Sequence, residues 1–339
     1  MSTIFNQFKN DFSREIKRCF ESILKNIPQE KKNIFLSYLD LGNNNSKILY
    51  KDEKYYLNFL YPNEQNSSSI KLKNNKIIID GHYFKNIFKL IFSLNSPKKI
   101  YHYTSLNTIF KILMNKSIWF TSLAGLNDKS EYASSELYYN KKIINEFHHE
   151  RVSAANRRFI LSFSELADDL NQWRLYGDNG TGVCLEFDFK SPEFLFGQQA
   201  IKIIPGNIIY TNDFFNILKN LHEKYSQKDI DIEYRDLEIL KHFIKNTDYE
   251  NEKEYRLIIY KEKTSVKRNW YLNRYNILNS YQQIGLNKLP ITLKNIIVGP
   301  KCSERDLNIG QLKLFLQDNP IYKNNQQVKV NESEISHYR

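Results

Sequence analysis

Apolar residues at three- and four-residue intervals open the chain. Phe5, Phe8, Phe12, Ile16, Cys19, Phe20, Ile23 and Leu24 fall on one stripe, which predicts an amphipathic helix stopped near Pro28. Such a stripe is ordinarily a core-facing surface; as a membrane-surface helix it would be diluted by Asp11, Glu15 and Glu21. Short strands are expected at 54–60 and 76–80, and Phe84, Ile87, Phe88 and Ile91 mark another helix before the punctuation Asn95-Ser96-Pro97. From Lys98 the pattern alternates. Strands are predicted at 100–104, 117–122, 158–164, 182–189, 201–210, 254–260 and 293–298, with helices at 106–114, 130–150, 168–176 and between 213 and 245. A weak helix around 309–316 precedes the polar run 323–327. The expected class is α+β (mixed α/β), with a mainly helical basic accessory module at 1–95, an α/β catalytic-type domain at 96–302 and a C-terminal extension at 303–339.

Composition changes this picture little. Apolar residues make up 41% of the chain and aromatics 14%, enough to build cores and to set wholesale disorder aside. The first ten residues lack the zones of a secretory signal, and no apolar run approaches the roughly 18 residues of a membrane span, so neither export nor a transmembrane segment is expected. Cys19, Cys184 and Cys302 lack C-x-x-C spacing, which argues against a disulfide scaffold or structural zinc and suits a reducing, cytoplasmic setting. The net charge of +11 admits a polyanionic partner, and residues 1–95 hold 15 Lys and Arg against 9 Asp and Glu. Lysine is nevertheless scattered among Asn, Ile and Tyr throughout, and biased composition accounts for that without a selected patch.

Several segments could carry chemistry, and each also has a plain structural explanation. His102 and Thr104 share one face of a strand that leads into a helix, placed either for a ligand or for local hydrogen bonding. Leu126-Asn127-Asp128, followed by Ser130 and Glu131, is a helix start that could also face an anionic group such as a pyrophosphate. Trp173 and Tyr176 lie three apart beside the glycine-bearing loop Gly177-Asp178-Asn179-Gly180, suited to core packing or to stacking a planar ring. Glu252, Glu254 and Arg256 fall on one side of a strand and Tyr255 and Leu257 on the other, so the charges either form a salt bridge or line a cleft. His148-His149 has no further ligand nearby, and no metal is assigned. Dinucleotide-fold, Walker, zinc-protease and serine-hydrolase motifs are missing from the sequence.

Taken in order, Tyr101-His102-Tyr103-Thr104-Ser105, Ser117-Ile118-Trp119-Phe120, Leu126-Asn127-Asp128 with Glu131, Ser162-Phe163-Ser164-Glu165, Trp173-Arg174-Leu175-Tyr176, Gly182-Val183-Cys184-Leu185 and Glu252-Lys253-Glu254-Tyr255-Arg256 resemble a widespread bacterial domain family of unknown function over residues 98–301. The opening strand and helix also resemble those of ADP-ribosyltransferases, especially toxins that modify nucleic acid. That second resemblance implies a split β-sheet domain with helical insertions, with NAD as substrate and no metal. It further implies a toxin or anti-phage defence effector that modifies nucleic acid or protein. By the same resemblance His102 and Glu254 would be catalytic. His102, Tyr103, Thr104, Asn127, Ser164 and Arg256 would bind NAD, and Trp119, Phe120 or Trp173 would pack on nicotinamide. Ser162-Phe163-Ser164 matches the serine-threonine-serine strand of some subgroups only in part. These residues are expected to border one pocket. The competing expectation is a non-enzymatic nucleic-acid-binding or regulatory module of a defence system, recognising its partner through the basic N-terminal region. A nuclease is disfavoured, since no carboxylate cluster with metal-ligand spacing stands out.

Overall fold

The computed structural model describes residues 2–24, 29, 32–33, 36, 70–73, 75–79, 97–122, 158–189, 202–234, 241–260, 268–273, 276–319 and 328–338. The strand expected at 54–60, the helices at 84–91 and 130–150, Asn127, the His148-His149 pair and the run 323–327 lie outside them. Among the described residues the α-helices are α1 (Ser2–Leu24), α2 (Leu106–Asn115), α3 (Leu170–Leu175), α4 (Phe214–Ser226) and α5 (Arg305–Asp318). The strands are β1 (Ile70–Lys73), β2 (Lys76–Ile79), β3 (Lys99–Thr104), β4 (Ser117–Ser122), β5 (Arg158–Ser164), β6 (Val183–Phe189), β7 (Lys202–Asn207) and β8 (Ile209–Tyr210). They continue with β9 (Asp231–Tyr234), β10 (Ile244–Lys245), β11 (Glu254–Tyr260), β12 (Asn269–Leu272), β13 (Leu278–Gly285), β14 (Ile291–Val298) and β15 (Lys329–Glu332).

The chain divides into two compact units, one of residues 1–96, 127–150 and 207–249, the other of 97–126, 151–206 and 250–339. In the first, α1 buries Phe8, Phe12, Ile16 and Phe20, the stripe its sequence spacing predicts. Phe8 meets Tyr225 of α4 edge-on at 5.1 Å, and the Asp11 carboxylate accepts hydrogen bonds from Lys224 Nζ (2.6 Å) and Tyr225 Oη (2.8 Å). Burial pushes the Asp11 carboxyl up, but these partners outweigh it and hold the group below its usual value. The stretch expected to be helical up to residue 245 turns after α4 into β9, which pairs in parallel with β2. Strand 201–210 is in fact two strands: β7 pairs with β11, whereas β8 pairs with β10.

The second unit is built on a ten-stranded mixed sheet whose main path runs β12-β13-β4-β5-β3-β6-β14-β15. One edge of β5 is occupied along its whole length by β11, from Glu254 opposite Ser164 to Tyr260 opposite Arg158. β3 and β4 therefore share its other edge. β4 meets the start of β5 (Thr121 opposite Ile160) and β3 meets its end (Tyr101 opposite Ser164), so the two strands diverge from one edge. Alternation then fixes the two faces. The large core lies on the face carrying Ile100, Phe120, Leu161, Phe163, Leu185, Tyr255 and Leu257; a smaller cluster of Tyr101, Tyr103, Trp173, Cys184 and Ile297 lies on the opposite face. The tail beyond residue 302 joins this unit, α5 packing on the large core and β15 extending the sheet beside β14. No described helix is long and apolar enough to cross a membrane.

Candidate functional site

The densest polar arrangement lies where β5, α3 and β11 meet, and it begins with helix capping. Asp169 caps α3 by accepting from the backbone N–H of Asn171 and Gln172. This sets Gln172 and Tyr176 over the turn that enters β11: Gln172 Nε2 donates to the Glu252 carbonyl (3.1 Å) and Tyr176 Oη to the Glu252 carboxylate (2.8 Å). From the β5 side, Ser164 Oγ donates to the same carbonyl (2.7 Å) and accepts from Leu166 N–H (3.1 Å). Lys253 takes a left-handed conformation (φ 44°), and its carbonyl accepts from Glu165 N–H. Three of the sequence motifs thus form a single hydrogen-bonded knot around Glu252.

One residue further on, Glu254 and Arg256 point to the face that carries Tyr101 and Tyr103, cross-strand from Ser164 and Ser162. Arg256 Nε donates to Glu254 Oε1 (2.6 Å) and Nη2 to Oε2 (2.8 Å), a bidentate pair with both residues buried. Desolvating two charges is costly, and the forked geometry with two charge-assisted bonds offsets that cost. Ser162, opposite Arg256, is also the residue at which β3 and β4 part.

His102 takes no part in this arrangement. It projects with Ile100 and Thr104 to the large-core face, its ring 5.7 Å from that of Phe163. Its Nδ1 lies 3.0 Å from the Ser162 carbonyl, which can only accept, so the neutral ring carries its proton on Nδ1. Burial disfavours the imidazolium and lowers the pKa of His102 despite that hydrogen bond. The ring supplies a donor to a carbonyl at the point where β3 and β4 separate, which accounts for a histidine here without a ligand. The expected convergence of His102 and Glu254 on one pocket is therefore corrected: an antiparallel pairing in which Tyr101 faces Ser164 sends His102 to the side opposite Glu254.

The other expected site residues divide similarly. Thr104 follows His102 on the core face, and Phe120 is fully buried in the large core, with no ring face for a ligand. Trp173 is likewise fully buried: Tyr103 meets it edge-on at 5.0 Å and its indole N–H donates to Asp168 (2.7 Å), so packing explains it. Tyr103 Oη donates to the Leu166 carbonyl and accepts from Asp169 N–H, and burial raises its pKa. Trp119 stands on the same face as Glu254 with its ring exposed. Asn127 lies outside the described residues. The sequence reading missed Asp168, which also accepts from Ser333 Oγ (2.6 Å) and Glu334 N–H (2.7 Å) and so ties the C-terminal segment to Trp173. A signal was present: two aspartates precede α3, and one suffices for the cap.

Burial holds Cys19 and Cys184 as thiols, pushing Cys19 up to about 12 and Cys184 higher still. Among the described residues no group of three or more His, Cys, Asp and Glu side chains is arranged to hold a metal ion.

This geometry defines a mixed α+β domain with a buried carboxylate–guanidinium pair at the entrance to an internal strand. Residues 172–257, which run from within α3 through β6 to the start of β11, match the family described as "Protein of unknown function (DUF2971)". Neither a curated protein nor a solved structure matches the chain.

Proposed function

We propose that the second unit is an ADP-ribosyltransferase-like enzyme that takes NAD as substrate and uses Glu254, without His102. The observation that carries this reading is the buried Glu254–Arg256 pair, opposite Ser164 and Ser162 where β3 and β4 part. Its donor set suits NAD: a carboxylate can bind the ribose 2′-hydroxyl and stabilise positive charge developing at the anomeric carbon, and a guanidinium can bind a phosphate. The bond broken is that between the anomeric carbon and the nicotinamide nitrogen, whose electron pair leaves with the now neutral nicotinamide. An acceptor hydroxyl or amine attacks the same carbon and gives up its proton to solvent. That the acceptor is nucleic acid or protein, and that the setting is a toxin or anti-phage defence effector in the cytoplasm, rests on the resemblance alone.

The test uses the full chain. NAD binding is measured by calorimetry, and nicotinamide release is followed in the presence of cell extract. Glu254→Asp keeps a negative charge for Arg256 while withdrawing the carboxylate by one methylene, and is expected to lower the melting temperature less than removal of Arg256 does and to lower release by about 100-fold. Failure of the wild-type chain to bind NAD, or full activity in Glu254→Asp, would overturn the proposal.

A further inference from the structure

At one end of the sheet, three adjacent strands carry aromatic rings on the same face. Trp119 of β4 stacks on Tyr281 of β13 with centroids 3.9 Å apart and planes 27° from parallel. Tyr271 of β12 closes the group, 5.6 Å from Trp119 and 5.7 Å from Tyr281. The register explains the grouping, since Tyr281 lies opposite Thr121 and Asn269, and alternation places Trp119, Tyr271 and Gln283 on the same side. Rings that normally seek burial stay accessible here: Trp119 is 36% exposed, and the amide-bearing Asn269 and Gln283 beside them are exposed as well. Gln283 is oriented by a hydrogen bond from its Nε2 to Ser117 Oγ (2.6 Å).

A second observation comes from the sequence. From Lys263 to Ser303, the stretch that contains β12, β13 and β14, there are seven Lys and Arg and no Asp or Glu. In a chain with 38 acidic residues, a gap of this length leaves the strands bearing the rings without a carboxylate of their own. Next to them on the same face, β5 and β11 present Arg158, Ile160 and Ile258, and beyond these Glu254 paired with Arg256.

We infer that this face of β4, β13 and β12 binds single-stranded nucleic acid, with bases stacked on Trp119 and Tyr271. Flat rings on an open sheet, flanked by amides able to reach base edges, are the physical requirements for stacking unpaired bases. The lack of acidic residues suits a polyanion. A protein partner would be better served by the aliphatic Leu272 and Leu278, which point to the other face. The inference needs neither NAD nor Glu254; where both hold, the bound strand is the acceptor.

Fluorescence anisotropy of the full chain with labelled 20-nucleotide single-stranded DNA and RNA, and with a duplex of the same sequence, tests this at 50, 100 and 200 mM salt. Single strands are expected to bind more tightly than the duplex, with affinity falling steeply as salt rises. Trp119→Ala and Tyr271→Ala are each expected to weaken binding by about tenfold or more, with Trp119→Phe restoring most of it. No binding of single strands, equal binding of the duplex, or binding indifferent to both alanine substitutions would overturn the inference. Oligonucleotide binding without nicotinamide release would leave it standing and remove the transferase reading; the reverse would remove this inference alone.

Discussion

The two faces of the sheet around β5 carry the two residues that the sequence most strongly suggested as a pair, and they solve opposite problems. On one face His102 sits among Phe163 and the large core, kept neutral by burial and spending its proton on a backbone carbonyl. On the other, Glu254 and Arg256, more deeply buried than His102, each neutralise the other through two hydrogen bonds. A lone titratable group in an apolar setting gives up its charge, whereas a pair can keep it. A face of the second kind is the one that can offer charge to a substrate.

The sharpest way to break this contrast is to unpair the charged face. Arg256→Ala leaves the Glu254 carboxylate buried without its partner and is expected to cost about 3–5 kcal/mol, read as a fall in the urea midpoint. Replacing both residues together, as Glu254→Leu with Arg256→Met, is expected to recover most of that loss. If the double variant is as unstable as the single one, mutual neutralisation is not what holds the pair in place. Next in size is Asp168→Ala, which strips the acceptor from Trp173 Nε1, Ser333 Oγ and Glu334 N–H and is expected to cost about 2–3 kcal/mol. Limited proteolysis should then clip the segment after Glu332 sooner than in wild type; unchanged protection would show that Asp168 does not tie it down.

Much of the second unit was legible in local pattern. The strands at 117–122, 158–164 and 254–260 fall where alternation places them, and in the first unit Phe8, Phe12, Ile16 and Phe20 of α1 are buried as their spacing predicts. The side each strand shows to its neighbours was not legible, because it depends on the register of β5 against β3 and β11, set by pairings more than sixty residues apart in sequence. A shift of one residue would have put His102 beside Glu254, and no local signal reports that parity. β13 and β15 escaped for a different reason: Asn-Ser-Tyr-Gln-Gln and Lys-Val-Asn-Glu have weak strand patterns, and partners elsewhere in the sheet specify them. The meeting of Ser164, Gln172, Tyr176 and Glu252 could be suspected from motif order, but its centre, a backbone carbonyl, has no sequence signature.

The neutral face predicts a pH dependence. The folded-state pKa of His102 lies below the ordinary value of 6.5, so the unfolded chain binds the proton more readily. The contribution of His102 to stability is therefore complete above about pH 6.5 and is lost as pH falls from there through the folded value. His102→Asn keeps a side-chain N–H for the Ser162 carbonyl and removes the titration. Urea midpoints at pH 7.5 and 5.5 should fall further for wild type than for the variant. Asp11 does not confuse the readout, because its depressed pKa, beneath the ordinary 3.8, puts its own loss of stability at lower pH. Equal falls in the two proteins would mean that the ring is already free to take its proton in the folded state.

The smallest effect is expected at the hinge between the faces. Tyr176 Oη donates to Glu252 at 2.8 Å, but its side chain is 44% exposed, and water can replace the lost partner in Tyr176→Phe. The stability cost should therefore stay near 0.5 kcal/mol, well below that of Arg256→Ala. The position of the turn is the more sensitive quantity. Glu252 is held at its carbonyl by Ser164 and Gln172 and at its carboxylate by Tyr176, and removing the last leaves both hydrogen bonds to the backbone carbonyl in place. Amide hydrogen exchange at Glu165, whose N–H is bonded to the Lys253 carbonyl, should be unchanged in Tyr176→Phe and accelerated in Gln172→Ala. If Tyr176→Phe accelerates it as much, the hydroxyl holds the entry to β11 in place, and the charged face depends on an exposed tyrosine for its alignment.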